Sequence, residues 1–253
     1  MRRSEAAPLT PPAFATTALS GGVEEMHGDG SRAIAFNALT SVILPIALLT
    51  AVMIGLGLMV THVLVHVWPF TVEDQAVRGL VAARTPTWDR VSNLISLVAY
   101  TPAVVATTLV ADCVMRIAYH RWRESLLLAA AVLGQGVVYK VTTWVVARAR
   151  PPVPELDVFP PMRSFFSGHT AAAVALYGGI AVVLALHARR TVHAAAWWVV
   201  LLTIPVAVAI SRVYRGMHHP SDVAASFIVG LGCLWIMHRA ILAPGEPGDS
   251  REP

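Results

Sequence analysis

Six apolar runs partition this sequence, near residues 41–66, 91–117, 126–146, 170–186, 194–210 and 223–235. About 20 apolar residues wound as a helix cross the hydrocarbon of a bilayer. Inside that hydrocarbon each backbone amide and carbonyl must be satisfied within its own segment, which restricts long apolar runs to helices. The composition agrees: of 253 residues 56% are hydrophobic and only 13% charged, whereas a soluble domain carries about 25% charged residues. The expected fold class is all-α, a polytopic membrane bundle of six transmembrane helices. Pro102, inside the second run, predicts a kink or a wide first turn there.

Charge between the runs sets the expected orientation. The basic stretch from Arg116 to Arg123, the Arg189–Arg190 pair and Arg239 fall on alternate connections, and the positive-inside bias makes these cytoplasmic. Both termini then face the cytoplasm, and the segments 67–92, 148–168 and 211–222 share the opposite face. Arg148, Arg150 and Arg163 violate the bias on that face, and anion binding is a physical reason for the violation. The net charge of +4 calls for no nucleic-acid partner, because membrane proteins concentrate basic residues in cytoplasmic loops.

Residues 1–35, rich in Ala, Pro, Gly and Thr, are expected to form a disordered cytoplasmic tail, with 36–241 the membrane domain and 242–253 a second disordered tail. Segment 67–92 carries both charge signs on an amphipathic pattern and suits a short helix at the membrane surface. Cys113 and Cys233 lie inside apolar runs and read as small core residues, with no spacing that suggests a disulfide or metal pair.

Chemistry concentrates in three polar clusters on the face opposite the basic loops. Ser211-Arg-Val-Tyr-Arg-Gly-Met-His-His-Pro-Ser-Asp222 wedges two imidazoles, two guanidiniums and a carboxylate between two apolar runs, where ionisable groups usually mark a site. Ser164-Phe-Phe-Ser167-Gly168-His169 precedes the fourth run, and Lys140 with Arg148-Ala-Arg150-Pro151 closes the third. Arginine offers a fork of donors suited to phosphate oxygens. Free amides at a helix start after Ser167 and Gly168 add anion-binding groups, and Pro220 favours the first turn of the sixth helix. The four-residue spacing of His218 and Asp222 allows a carboxylate to hold one imidazole nitrogen while the other reacts. His169 is then placed to donate a proton to a departing oxygen.

These clusters resemble the type 2 phosphatidic acid phosphatase family, whose site is shared with bacterial acid phosphatases and vanadium haloperoxidases. Its patterns are KxxxxxxRP, PSGH and SRxxxxxHxxxD. The third is matched at Ser211, Arg212, His218 and Asp222, and the second at Ser167, Gly168 and His169 with Phe166 in place of Pro. The first is matched at Arg150 and Pro151 alone; Thr143 stands where Lys belongs, and Lys140 lies three residues earlier on the same helix face. A lysine snorkels about one helical turn, so Lys140 is expected to reach the phosphate.

The resemblance implies a membrane lipid phosphatase that works without metal or other cofactor. His218 attacks phosphorus to give a phosphohistidine, Asp222 orients it, and His169 protonates the leaving group. Lys140, Arg150, Ser167, Gly168 and Arg212 hold the phosphoryl oxygens. A plasma (inner) membrane location follows, with the active site on the extracytoplasmic side. The implied partners are a phosphorylated lipid and the bilayer, with self-association left open. Family analogy favours polyprenyl diphosphate slightly over phosphatidic acid or phosphatidylglycerol phosphate. The rival from another class is a catalytically silent lipid-binding or scaffold member, suggested by the displaced lysine. His219, Arg163 and Tyr214 are read as structural or headgroup-facing residues.

Overall fold

The computed structural model describes residues 37–157 and 163–242. The chain divides into two units, Met1–Thr40 and Ser41–Pro253. The tail expected at 1–35 lies outside the described residues, as does 243–253 of the second tail. Leu242 ends a short helical turn.

Eight α-helices and no strand occur among the described residues: α1 (Leu44–His62), α2 (Glu73–Ala82), α3 (Pro86–Leu97), α4 (Thr101–Tyr119), α5 (Arg123–Val145), α6 (Gly168–Leu186), α7 (Thr191–Tyr214) and α8 (Pro220–Met237). Six of them, α1 and α4 to α8, are long and apolar enough to cross a membrane. The protein is a multi-pass membrane protein. Large apolar side chains such as Leu48, Leu109, Ile117, Val199 and Trp235 are exposed on the outer surfaces of these helices, where lipid rather than water is the neighbour.

The second apolar run departs from its expected bounds. The sequence reads as one span over 91–117, yet the chain breaks at Val98–Tyr100 and only α4 is long enough to cross. Pro102 sits in the first turn of α4, where its missing N–H costs nothing. The residues before the break belong to α3, capped by Thr85, whose hydroxyl accepts from the Trp88 amide, as Ser/Thr N-caps do. Segment 67–92 therefore forms two short helices, α2 and most of α3, rather than one.

Helix α6 lies at the centre, packed against α4, α5, α7 and α8. Its small residues permit that. A methyl group added at Gly179 would come within 2.7 Å of Leu128 on α5, and one at Gly178 within 2.9 Å of Leu234 on α8. Small residues at membrane-helix interfaces let backbones approach and gain dispersion contacts that lipid cannot replace. One core cluster joins α1, α5, α6 and α8 through Met53, Val138, Ala171, Val229 and Cys233, and it also takes in Phe165 and Phe166 from the connection before α6. The apolar core thus anchors the loop that carries Ser167 to His169.

Gly57 on α1 is the tightest part of that anchor, since a Cβ there would lie 2.6 Å from the Phe165 ring, whereas one at Gly55 meets nothing within 4 Å. Overpacking a core site costs about 1–3 kcal/mol. Gly57→Ala is therefore expected to lower the thermal unfolding midpoint of the purified protein in detergent, and Gly55→Ala to leave it unchanged. Equal midpoints for the two variants would contradict this packing.

Candidate active site

The three polar clusters meet at one end of the bundle, and a buried carboxylate joins them. Helix α8 starts at Pro220 with His219 as N-cap, and Asp222 at the third position folds back to accept the His219 amide at 2.8 Å, a capping-box geometry. The fully buried Asp222 side chain also accepts from Arg148 Nη1 and from the Ser164 hydroxyl. Arg148 reaches on to Glu73 of α2 at 2.8 Å. Glu73 in turn accepts from the Ser221 amide at 2.7 Å and the Ser221 hydroxyl at 2.8 Å. An anion at a helix N-terminus is stabilised by the unpaired amides and the helix dipole. His219 completes the joint, with Nδ1 3.2 Å from Asp222 and Nε2 3.1 Å from Asp74.

The turn between α7 and α8 is held from the other side. Arg84, after α2, donates to the Tyr214 carbonyl at 2.9 Å and the Pro154 carbonyl at 2.7 Å. Gly216 follows with a φ of +76°, a conformation that glycine adopts without steric cost.

His218 is buried in this joint, and its Nδ1 lies 2.7 Å from the Ser164 carbonyl. A carbonyl only accepts, so Nδ1 carries the proton and Nε2 of the neutral ring keeps its lone pair. Burial, then the nearby charge of Arg212, outweighs Asp222 and holds the His218 pKa down to about 3. The expected Asp222–His218 hydrogen bond is absent: the closest approach is 3.9 Å. The physical reason is that His218 precedes the helix, so its spacing to Asp222 is not a helical one, and the carboxylate is taken up by the cap, Ser164 and Arg148. Ser164 links the two, its hydroxyl donating to Asp222 and its carbonyl facing His218 Nδ1.

His169, His218, Arg150, Arg212, Gly168 and Lys140 all line one cavity of about 740 Å³. Its remaining wall is largely apolar, with Val104, Val105, Val132, Leu133 and Val137 contributed by α4 and α5. Arg212 is 2% exposed and donates to Ser96 at 2.7 Å and to Asp157. Asp157 also accepts from Arg215 at 2.8 Å. Burial, the largest single effect on Asp157, raises its pKa, but the hydrogen bond from Arg215 and the charge of Arg212 together bring it below the ordinary carboxylate value. The Nε atoms of Arg150 and Arg212 are buried without a hydrogen-bond partner among the described residues, and both side chains line the cavity, where a guanidinium suits an anion.

Ser167 is the N-cap of α6, fully buried, with its hydroxyl accepting from the Thr170 hydroxyl at 3.0 Å. Gly168 has the Tyr139 ring where a Cβ would be, at 2.9 Å, so a larger residue would push the loop off α5. Lys140 is exposed at the cavity. The Thr143 hydroxyl donates back to the Tyr139 carbonyl at 2.7 Å, so its one donor is used within α5. Arg163 donates to the carbonyls of Thr143 and Trp144 at the end of α5 and also lines the cavity. Among the described residues no three His, Cys, Asp or Glu side chains converge to hold a metal ion.

Glu73, Asp74 and Asp157 are the site residues that sequence reasoning misses. The first two sit in an amphipathic segment where charges ordinarily face solvent, and Asp157 follows a proline-rich stretch with no pattern of its own. The unusual density of arginines on this face is the one signal that buried carboxylates must be nearby, since buried charges occur paired.

Residues 124–245 match the model of the PAP2 superfamily. Among solved structures, the first transmembrane PAP2 type phosphatidylglycerolphosphate phosphatase from Bacillus subtilis is similar with 25% identity and a TM-score of 0.65, over 74% of this chain and 93% of that one. Aquifex aeolicus LpxE shares the fold at 22% identity and a TM-score of 0.52, over 68% of this chain and 98% of that one. No curated protein sequence matches the chain.

Two measurements check the site. With a folded pKa near 3 against an ordinary value of 6.5, the His218 imidazole stays neutral as pH falls from 7 to 5. Nitrogen chemical shifts of histidine-labelled protein, assigned through His218→Ala, are expected to show that ring uncharged at pH 5; protonation near pH 6.5 would contradict the burial. Glu73→Ala takes from Arg148 one of its two carboxylates and from the Ser221 amide its acceptor, and is expected to cost about 1–3 kcal/mol, as leaving buried donors unsatisfied does. Its thermal midpoint in detergent should fall well below that of Asp74→Asn, whose side chain is 42% exposed and which leaves the Glu73 joint intact.

Proposed function

We propose that this chain, which belongs to the PAP2 superfamily, hydrolyses the phosphate of a membrane lipid through a covalent histidine intermediate. The observation that carries the reading is the single cavity with His169, His218, Arg150 and Arg212 at one end and an apolar wall along the rest. A polar end for phosphate and an apolar wall for hydrocarbon suit an amphiphile and little else.

In this reading His218 Nε2 attacks phosphorus and the bond from phosphorus to the lipid oxygen breaks. His169 gives that oxygen its proton, so the lipid leaves as an alcohol, or as a monophosphate if the substrate is a diphosphate. Water, deprotonated by His169, then attacks the phosphohistidine, and inorganic phosphate departs. Arg150, Arg212, Ser167 and the Gly168 amide, with Lys140, stabilise the charge on the phosphoryl oxygens, which is most of what a protein supplies to phosphoryl transfer. The positive-inside pattern supports an extracytoplasmic site at the plasma membrane. Polyprenyl diphosphate, phosphatidic acid and phosphatidylglycerol phosphate all present the required phosphate. The Bacillus subtilis likeness favours a glycerol-based lipid.

Phosphate release from a panel of these lipids in detergent tests the reading. Wild type is expected to release phosphate, His218→Ala to remain at background, and His169→Ala to be slowed about 10²- to 10⁴-fold, the range for a lost general acid. Equal release by wild type and His218→Ala would discard catalysis here and leave the lipid-binding alternative. Lys140→Met is expected to raise KM; unchanged kinetics would remove Lys140 from the phosphate site.

A further inference from the structure

Most polar groups of the cavity lie at its phosphate end, and Gln135 does not. It lies on α5 among Val132, Leu133 and Val137, is 7% exposed and contributes to the cavity wall. Its Oε1 is buried without a hydrogen-bond partner among the described residues. Gln135 precedes Tyr139 by four residues and Lys140 by five, which places it ~6–7.5 Å along the helix axis from the polar end. Buried polar atoms without partners are few in folded proteins, and each calls for a reason.

We infer that Gln135 is a specificity residue that hydrogen-bonds the ester groups of a glycerol-based lipid phosphate and so selects this class over prenyl phosphates. The inference rests on the lipid phosphatase reading. In a glycerolipid phosphate the ester oxygens follow within a few bonds of phosphorus. With the phosphate between His169 and His218, they fall near the depth of Gln135. A carboxamide carries both a donor and an acceptor; Oε1 is its buried atom, which leaves the NH₂ to meet an ester carbonyl, and a half-turn about the last torsion offers the oxygen instead. A free hydroxyl at the same depth would be met by the oxygen. A prenyl chain has only hydrocarbon at this depth and would leave the amide buried and unsatisfied, the situation in which a site discriminates against an analogue that lacks the bonding group.

The test uses the full chain in detergent and three substrates: a diacyl phosphatidic acid, its dialkyl ether analogue without carbonyls, and farnesyl phosphate. Wild type is expected to show kcat/KM about tenfold higher for the diacyl lipid than for the other two, the scale of one neutral hydrogen bond. Gln135→Leu should remove that preference by lowering the diacyl rate while farnesyl phosphate is hydrolysed as before or faster. Gln135→Met, a second apolar residue of similar size, should reproduce the change. Hydrolysis of all three substrates with ratios unmoved by either substitution would overturn the inference alone. Hydrolysis of none by wild type would overturn it together with the lipid phosphatase reading.

Discussion

A carboxylate with no exposure to solvent, Asp222, holds this site together. It is joined by an arginine and a serine from the two ends of the α5–α6 connection and by the cap of its own helix. Removing a carboxylate from water costs several kcal/mol unless charge and hydrogen bonds replace the hydration. Here the replacement comes from segments distant in sequence, so the carboxylate is compensated only when those segments converge. The convergence brings His218 against the Ser164 carbonyl and brings Ser167 to the start of α6. Glu73 extends the same logic to the short helices, for Arg148 bridges two carboxylates, one on α2 and one on α8.

The apolar part of the bundle supplies the other half of the constraint. Phe165 and Phe166 are fully buried in the cluster that includes α1, α5 and α8. Ser164 and Ser167 on either side of them are therefore fixed by packing as well as by hydrogen bonds. Lipid offers no hydrophobic drive to pack one helix on another, so close approach through small residues on α6 matters more than apolarity. Donors held by such packing suit the proposed chemistry, since transition-state stabilisation relies on donors fixed in advance.

The spans were legible in the sequence because a bilayer imposes a length on apolar helices that chance rarely meets. The break before α4 was less so. The run from Leu94 to Val105 stays apolar across it, and Pro102 alone marks the new start. The clusters carrying His169, Arg212 and His218 were legible by spacing, and they do line one cavity. The partner of Asp222 was not, because a four-residue spacing implies contact only inside a helix, and the helix begins after His218. The roles of Glu73, Asp74 and Asp157 depend on which loops meet, which no local pattern encodes. His219, read as structural, does serve the joint, through two carboxylates rather than mere helix geometry.

The central claim is that one neutral imidazole, held by a backbone carbonyl beside two arginines, takes up the phosphoryl group. Rapid quenching of the enzyme with a lipid carrying ³²P at its terminal phosphate tests this directly. The account predicts label on the peptide that contains His218, stable in alkali and released in acid as a phosphohistidine is, and absent from His218→Ala. Turnover with no label at His218, or label retained in His218→Ala, would contradict it.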